Sequence, residues 1–179
     1  KEQVKSEETL KKLGLGHAVT RLADLRKASQ DVEALQAINK PVVVADALKK
    51  PSDLGDLKKD VQTNDQYSKD AELIGGLTGK VAGELEKAHA LDSGQQQALT
   101  MLGAAITATK EAIKSSESSL TTLKQADIGS GLRGTLNVQI EEGKARLEQL
   151  TKDQEELKTA QAANAENIKA LGEAQATLQ

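Results

Sequence analysis

The chain has no cysteine, no tryptophan and no phenylalanine, and its single aromatic residue is Tyr67. Without cysteine there are no disulfide staples, thiolate metal sites or thiol nucleophiles, and the redox compartment stays open. Without aromatics the core must be built from Leu, Ile, Val and Ala. These residues fill narrow seams between helices, whereas enzyme pockets commonly use aromatic walls. Proline occurs only at Pro41 and Pro51. No apolar run is long enough for a bilayer span of roughly 18 or more residues; the nearest, "ALTMLGAAITAT" at 98–109, is diluted by Thr and Gly.

Charge of one sign is also lacking. The 24 basic and 27 acidic residues leave a net charge of -3, and both signs are interspersed. A nucleic-acid surface needs a basic stripe and, for single strands, stacking aromatics, so nucleic acid is excluded as a partner. The 179 residues fit one domain with a substantial core. The sequence begins at Lys1 without an initiator Met, as in a mature product whose leader has been removed or a trimmed chain, and the expectation leans towards export.

What is present is helical periodicity. From 95 to 125 the positions Leu99, Leu102, Ile106, Thr109, Ile113, Ser116, Leu120 and Leu123 alternate spacings of three and four, a heptad seam. "ADIGSGLRG" at 126–134 follows, and its glycines Gly129, Gly131 and Gly134 suit a helix C-cap and tight connection. The seam resumes at Leu136, Ile140, Gly143, Leu147, Leu150, Gln154, Leu157, Gln161, Asn164, Ile168, Leu171, Gln175 and Leu178. A leading helix offers Leu15, Ala18, Leu22, Leu25, Ser29, Val32, Leu35 and Ile38, with a register shift near Leu35.

Between the leading helix and the hairpin, two prolines ten apart frame a short helix, and "PVVV" reads as non-sheet because no second strand-like run can pair with it. Residues 52–63 read as a short helix capped by Ser52 or Asp53, and 68–90 as a further helix. The expected fold is all-α: an elongated three-helix bundle with coiled-coil seams and a small helical appendage, in one domain of residues 1–179. Its helices fall at about 10–39, 95–125 and 133–178, with the appendage at about 40–91.

Several motifs suggest chemistry and fall short. In "GGLTGKVAG" Lys80 follows Gly79, but only three residues separate Gly75 from Gly79, Val81 follows the lysine, and no strand precedes it, so a phosphate loop is not formed. The same stretch places Gly75, Gly79 and Gly83 at every fourth position, a small-residue face for close helix packing. Glu86 and His89 are half of a di-iron pair, but His17, the only other histidine, has Gly14 three residues before it rather than an acid. Asp153, Glu155 and Glu156 read as a solvated face. The sequence points to no catalytic residue, cofactor or metal.

The polar seam positions of the last helix admit two readings. Amides at such positions penalise wrong registers, because their hydrogen bonds are met in one alignment only; compatibly with that, the distal end is wet because no third helix covers it, and a protein partner could be what covers it. On the second reading Gln161, Asn164, Ile168, Leu171, Gln175 and Leu178 are the candidate partner contacts.

The order of long helix, small helical appendage, long helix and longer helix, ending in the Ala/Gln/Asn-rich "TAQAANAENIKAL", resembles the minor pilus subunits of conjugative type IV secretion systems. The resemblance implies a three-helix bundle with a loose appendage, exported and working at the pilus tip in assembly and contact with recipient cells. No adhesive Arg-Gly-Asp is present; the nearest string is Arg133-Gly134-Thr135. No functional residue is carried across.

The expected function is therefore non-enzymatic: an exported, extracellular or periplasmic helical bundle acting through protein contacts, as a minor pilus or adhesin subunit, with self-association left open. One alternative is a membrane-active secreted toxin or translocator in which 71–109 unfolds to insert. The other is a cytoplasmic coiled-coil scaffold.

Overall fold

The computed structural model describes residues 12, 14, 16–55, 57, 59–60 and 71–178, with the backbone alone at 71 and 72. Among these residues the fold is all-α. Three helices account for most of it: α1 (Gly16–Ile38), α2 (Ala71–Gln125) and α3 (Ser130–Thr177), with a 3-10 helix at Asp46–Lys49 between α1 and α2. Of the expected helix start at 10–15 only Lys12 and Gly14 are described. Of the expected helix at 52–63, residues 52–55 are non-helical, Leu57, Lys59 and Asp60 are helical, and the remainder lies outside the described residues, as does 68–70.

The sequence reads as one domain; by packing, the chain divides into two compact units, residues 1–42 with 104–151 and residues 43–103 with 152–179. In the first unit α1 packs with the C-terminal part of α2 and the N-terminal part of α3, a three-helix bundle. Its core is Ala28, Val32, Leu35, Ile113, Leu120, Leu123, Leu136 and Ile140. Every residue of this set is aliphatic, as the lack of aromatics requires. The α2 and α3 members are seam positions read from the sequence. On α1 the face is rotated from the expected one: Ala28 is buried and Ser29 exposed, and Leu22 remains 49% exposed.

The reason for that rotation is polar. Asp31 lies one turn from Ala28, and its carboxylate accepts hydrogen bonds from Ser115 (2.8 Å) and Ser119 (2.5 Å) on α2. Turning α1 to bury Ser29 and Leu22 would take Asp31 away from those hydroxyls, and a half-buried carboxylate without partners is costly. Lys27 adds a donor to Ser119 Oγ at 3.0 Å. Small residues bring the helices close at Gly143, where an added Cβ would lie 3.1 Å from Ile113 Cγ1 and 3.5 Å from Leu35 Cδ2.

The connection between α2 and α3 uses two left-handed residues. Asp127 (φ 49) is the first; around it Ile128 N–H donates to Leu123 O (3.1 Å) and Asp127 N–H to Lys124 O (3.2 Å), the paired bonds of a Schellman ending. Aspartate, not glycine, therefore closes α2. Gly129 (φ 66) then opens α3, and it is needed for space as well as conformation: a Cβ there would lie 2.8 Å from Leu25 Cδ2. Gly131 and Gly134, expected in the turn, are helical.

In the second unit the N-terminal part of α2 packs against the C-terminal part of α3. Leu57, Val81, Ala88 and Leu171 form the core, with Leu54, Leu85, Ile168, Ala174 and Leu178 packed against it. Here α2 departs from the sequence reading. In place of a separate helix at 68–90 and a seam helix from 95, one helix runs unbroken from Ala71, so 71–91 belongs to it and not to an appendage. Gly75, Gly76, Gly79, Gly83 and Gly94 weaken helix propensity by about 1 kcal/mol each. The burial of Leu77, Val81 and Ala88 along one face offsets this. No described helix is long and apolar enough to cross a membrane.

Candidate functional site

From Pro41 to Ser52 the chain makes a strap. Residues 41–45 have no regular structure, the 3-10 helix covers Asp46–Lys49, and Lys50 is extended (φ -116, ψ 143). Proline supplies the boundaries: Pro51 has no N–H to continue a helix and pushes Lys50 into the extended region. The "PVVV" run is non-sheet, as its sequence context implies. Within the second unit the strap is gripped by side chains of α2 and α3, and the grip is directed at its main chain.

Three amides make the grip. Asn164, fully buried on α3, accepts from Ser52 N–H (3.3 Å) and donates to Ala88 O on α2 (2.8 Å). One turn along, Asn167 donates to Ser52 O (2.7 Å) and to Ser52 Oγ (3.1 Å). The two asparagines thus take both the N–H and the C=O of Ser52. Gln95, fully buried on α2, donates to Leu48 O (2.9 Å) and, at 3.5 Å, to Lys50 O. Its Oε1 is buried with no partner among the described residues.

Two side chains of the strap have places of their own. Leu48 Cδ2 approaches Gly94 so closely that a Cβ would lie 3.1 Å away; Gly94 is the floor under Leu48. Lys49 Nζ reaches Asp153 at 2.9 Å and Glu156 at 3.6 Å. The hydrogen bond to Asp153 holds the Lys49 ammonium above the ordinary lysine value; partial burial pulls the other way, and the charges of Asp153 and Glu156 add to the rise. Asp153 is therefore no part of a solvated face, for it is 9% exposed and paired. The neighbouring Glu155 keeps to the surface, bonded to Lys158.

These contacts revise the candidate partner residues. Gln161 donates to Asp92 (3.2 Å) and Gln96 (3.1 Å). Asn164 is spent on Ser52 and Ala88, Leu171 is in the core, Ile168 and Leu178 pack against it, and Gln175 is half-buried. Most of the distal seam of α3 therefore has contacts within the chain, and Gln161, Ile168, Gln175 and Leu178 remain half-exposed. The register-setting reading describes Asn164 best, since its two bonds are met in one alignment of α2, α3 and strap. Sequence reasoning misses the strap because backbone N–H and C=O groups carry no residue signature; Pro51-Ser52, extended beside a helix with Asn164 and Asn167, is the available signal.

The glycine face also differs from its expected role. A Cβ at Gly75, Gly79 or Gly83 would meet no described atom within 4 Å. Close approach falls instead at Gly94, Gly129 and Gly143. Gly79 and Lys80 lie inside α2 and are exposed, so no phosphate-cradling loop exists there.

Other chemistry-bearing residues are scattered or engaged. His17 and His89 are exposed on α1 and α2. Among the described residues no three His, Cys, Asp or Glu side chains could hold a metal ion together. In the first unit Lys27, Ser119 and Asp31 do converge, yet Lys27 donates to the serine oxygen and the serine proton points at Asp31. An ammonium acting as donor takes no proton from that hydroxyl, and the trio works as a clamp between α1 and α2. The chain matches no protein-family model, and neither a curated protein nor a solved structure shows significant similarity to it.

Proposed function

We propose that this protein is a non-enzymatic, exported helical bundle that acts by protein–protein contact, as a minor pilus or adhesin subunit of a type IV secretion apparatus. The observation that supports the contact role is the amide grip: Asn164, Asn167 and Gln95 are committed to main-chain groups of an irregular segment, which is how a protein holds another stretch of polypeptide. The exported pilus role is supported by the order of helices and the Ala/Gln/Asn-rich ending that resemble the minor pilus subunits.

In-cell photo-crosslinking tests this reading. A photoreactive amino acid replaces Val43 or Met101, which are 84% and 63% exposed, in the protein expressed from its own complete gene. The expected result is an adduct with a surface-assembly component in the envelope or extracellular fraction. Retention of the protein with the cytosolic fraction contradicts export and favours the scaffold alternative. Absence of any protein adduct contradicts the contact role.

A further inference from the structure

The strap fits its cradle incompletely, and the misfit is specific. In an extended chain the N–H and C=O of one residue face the same neighbour, so a side-chain amide can take both. Asn164 and Asn167 do this for Ser52 between them. Gln95 takes the C=O of Leu48 and, at 3.5 Å, that of Lys50, but no N–H, because the Leu48 N–H is turned back to Ala45 O (2.9 Å) by the 3-10 helix. The Gln95 Oε1 is left buried and unpartnered among the described residues. A buried acceptor beside a carbonyl already bonded to the same amide is half of a backbone grip whose other half the strap cannot supply.

From this geometry we infer that the cradle of Gly94, Gln95, Asp153, Glu156, Asn164 and Asn167 is a docking groove for an extended, basic segment of a partner protein, held closed by residues 48–52 of the chain itself. The inference rests on the contact role proposed above. The occupant's chemistry follows from what the strap places there. An apolar side chain lies on Gly94, a lysine next to it meets Asp153 and Glu156, and a small residue three positions later offers its N–H and C=O to the asparagines. A partner segment extended at the first of these positions also satisfies Gln95, which the strap does not.

A labelled peptide of residues 47–55 is the probe. It lacks Ala45, so its leucine N–H is free to reach Gln95. The peptide competes in the intact chain with the tethered strap, whose effective concentration is on the order of millimolar. The full-length Lys49→Ala chain, in which the strap loses its ion pairs, is expected to bind the peptide about tenfold or more tighter than the unaltered chain. Full-length Ser52→Pro, which removes the strap N–H held by Asn164 and leaves the groove intact, gives the same gain. A peptide carrying K49E binds neither loosened chain. In the Lys49→Ala background, Gln95→Leu weakens binding about tenfold, as loss of a buried bidentate grip requires.

Equal binding of the two peptides, or no binding to either loosened chain while circular dichroism shows it folded, overturns the groove. Undiminished binding after Gln95→Leu overturns the assignment of that residue. A photo-crosslinked partner together with peptide failure sinks the groove and leaves the contact role standing; peptide binding without an adduct shows a cradle filled by the strap alone and overturns the partner docking together with the contact role.

Discussion

Asn164 Nδ2 donates to the main-chain carbonyl of Ala88 at 2.8 Å, across 76 positions of sequence. The same side chain accepts from Ser52 N–H, so one buried amide joins α3, α2 and the strap. Removing it should leave the Ser52 N–H without its acceptor and a polar gap in the core. Asn164→Ala is expected to cost about 1–3 kcal/mol, read as a lower midpoint in urea unfolding. Asn164→Leu, which refills the volume, should recover little of the loss, because the unmet N–H persists.

Ser116 behaves oppositely. Its hydroxyl is fully buried on α2 with no hydrogen-bond partner among the described residues. Ser116→Ala removes an unpaired polar atom and improves helix propensity, so it should stabilise by about 1 kcal/mol. A rise in the urea midpoint with unchanged slope is the expected result.

Glycines with and without neighbours should separate cleanly. Gly75→Ala and Gly79→Ala add a methyl where no described atom lies within 4 Å, so each should stabilise by about 0.5–1 kcal/mol through backbone entropy. Gly143→Val places branched bulk against Ile113 and Leu35 and should destabilise by about 1–3 kcal/mol. Thermal melts of the three variants check both signs; loss of stability on Gly79→Ala would restore the close-packing face read from the sequence.

Lys49 makes the strap sensitive to alkali. Its folded-state pKa is raised by the hydrogen bond with Asp153, so the folded form binds the proton more tightly than the unfolded form does. The stabilisation is complete below the unfolded lysine value of about 10.4 and is lost as pH rises through the higher folded value. The difference in stability between the parent and Lys49→Met should therefore be constant well below the unfolded value of about 10.4 and shrink as pH rises above it. Urea unfolding across that range measures it.

Spacing in threes and fours makes most of the core legible in the sequence. Leu102, Ile106, Thr109, Ile113, Ser116, Leu120 and Leu123 on α2, and Leu136, Ile140, Leu150, Leu157, Asn164 and Leu171 on α3, are buried where the periodicity places them. Less legible is anything decided by tertiary partners. The start of α2 is obscured by Gly75, Gly79, Gly83 and Gly94, whose low propensity is overridden by burial of Leu77, Val81 and Ala88. The α1 face is set by Asp31 and two serines on α2, a polar contact that apolar periodicity does not register. The strap is hidden for a different reason: its holders are visible as Gln95, Asn164 and Asn167, but their targets are backbone groups, identical in every sequence.

A cysteine pair tests the central claim, that α3 around Asn164 and Asn167 holds the chain's own strap, because the sequence has no cysteine of its own. Ser52 Oγ and Asn167 Nδ2 lie 3.1 Å apart, so Ser52→Cys with Asn167→Cys should be joined within the folded monomer by a short thiol-specific crosslinker, seen as faster migration on denaturing gels. Absence of the intramolecular crosslink in the folded sample, with both thiols reacting singly, would contradict the account.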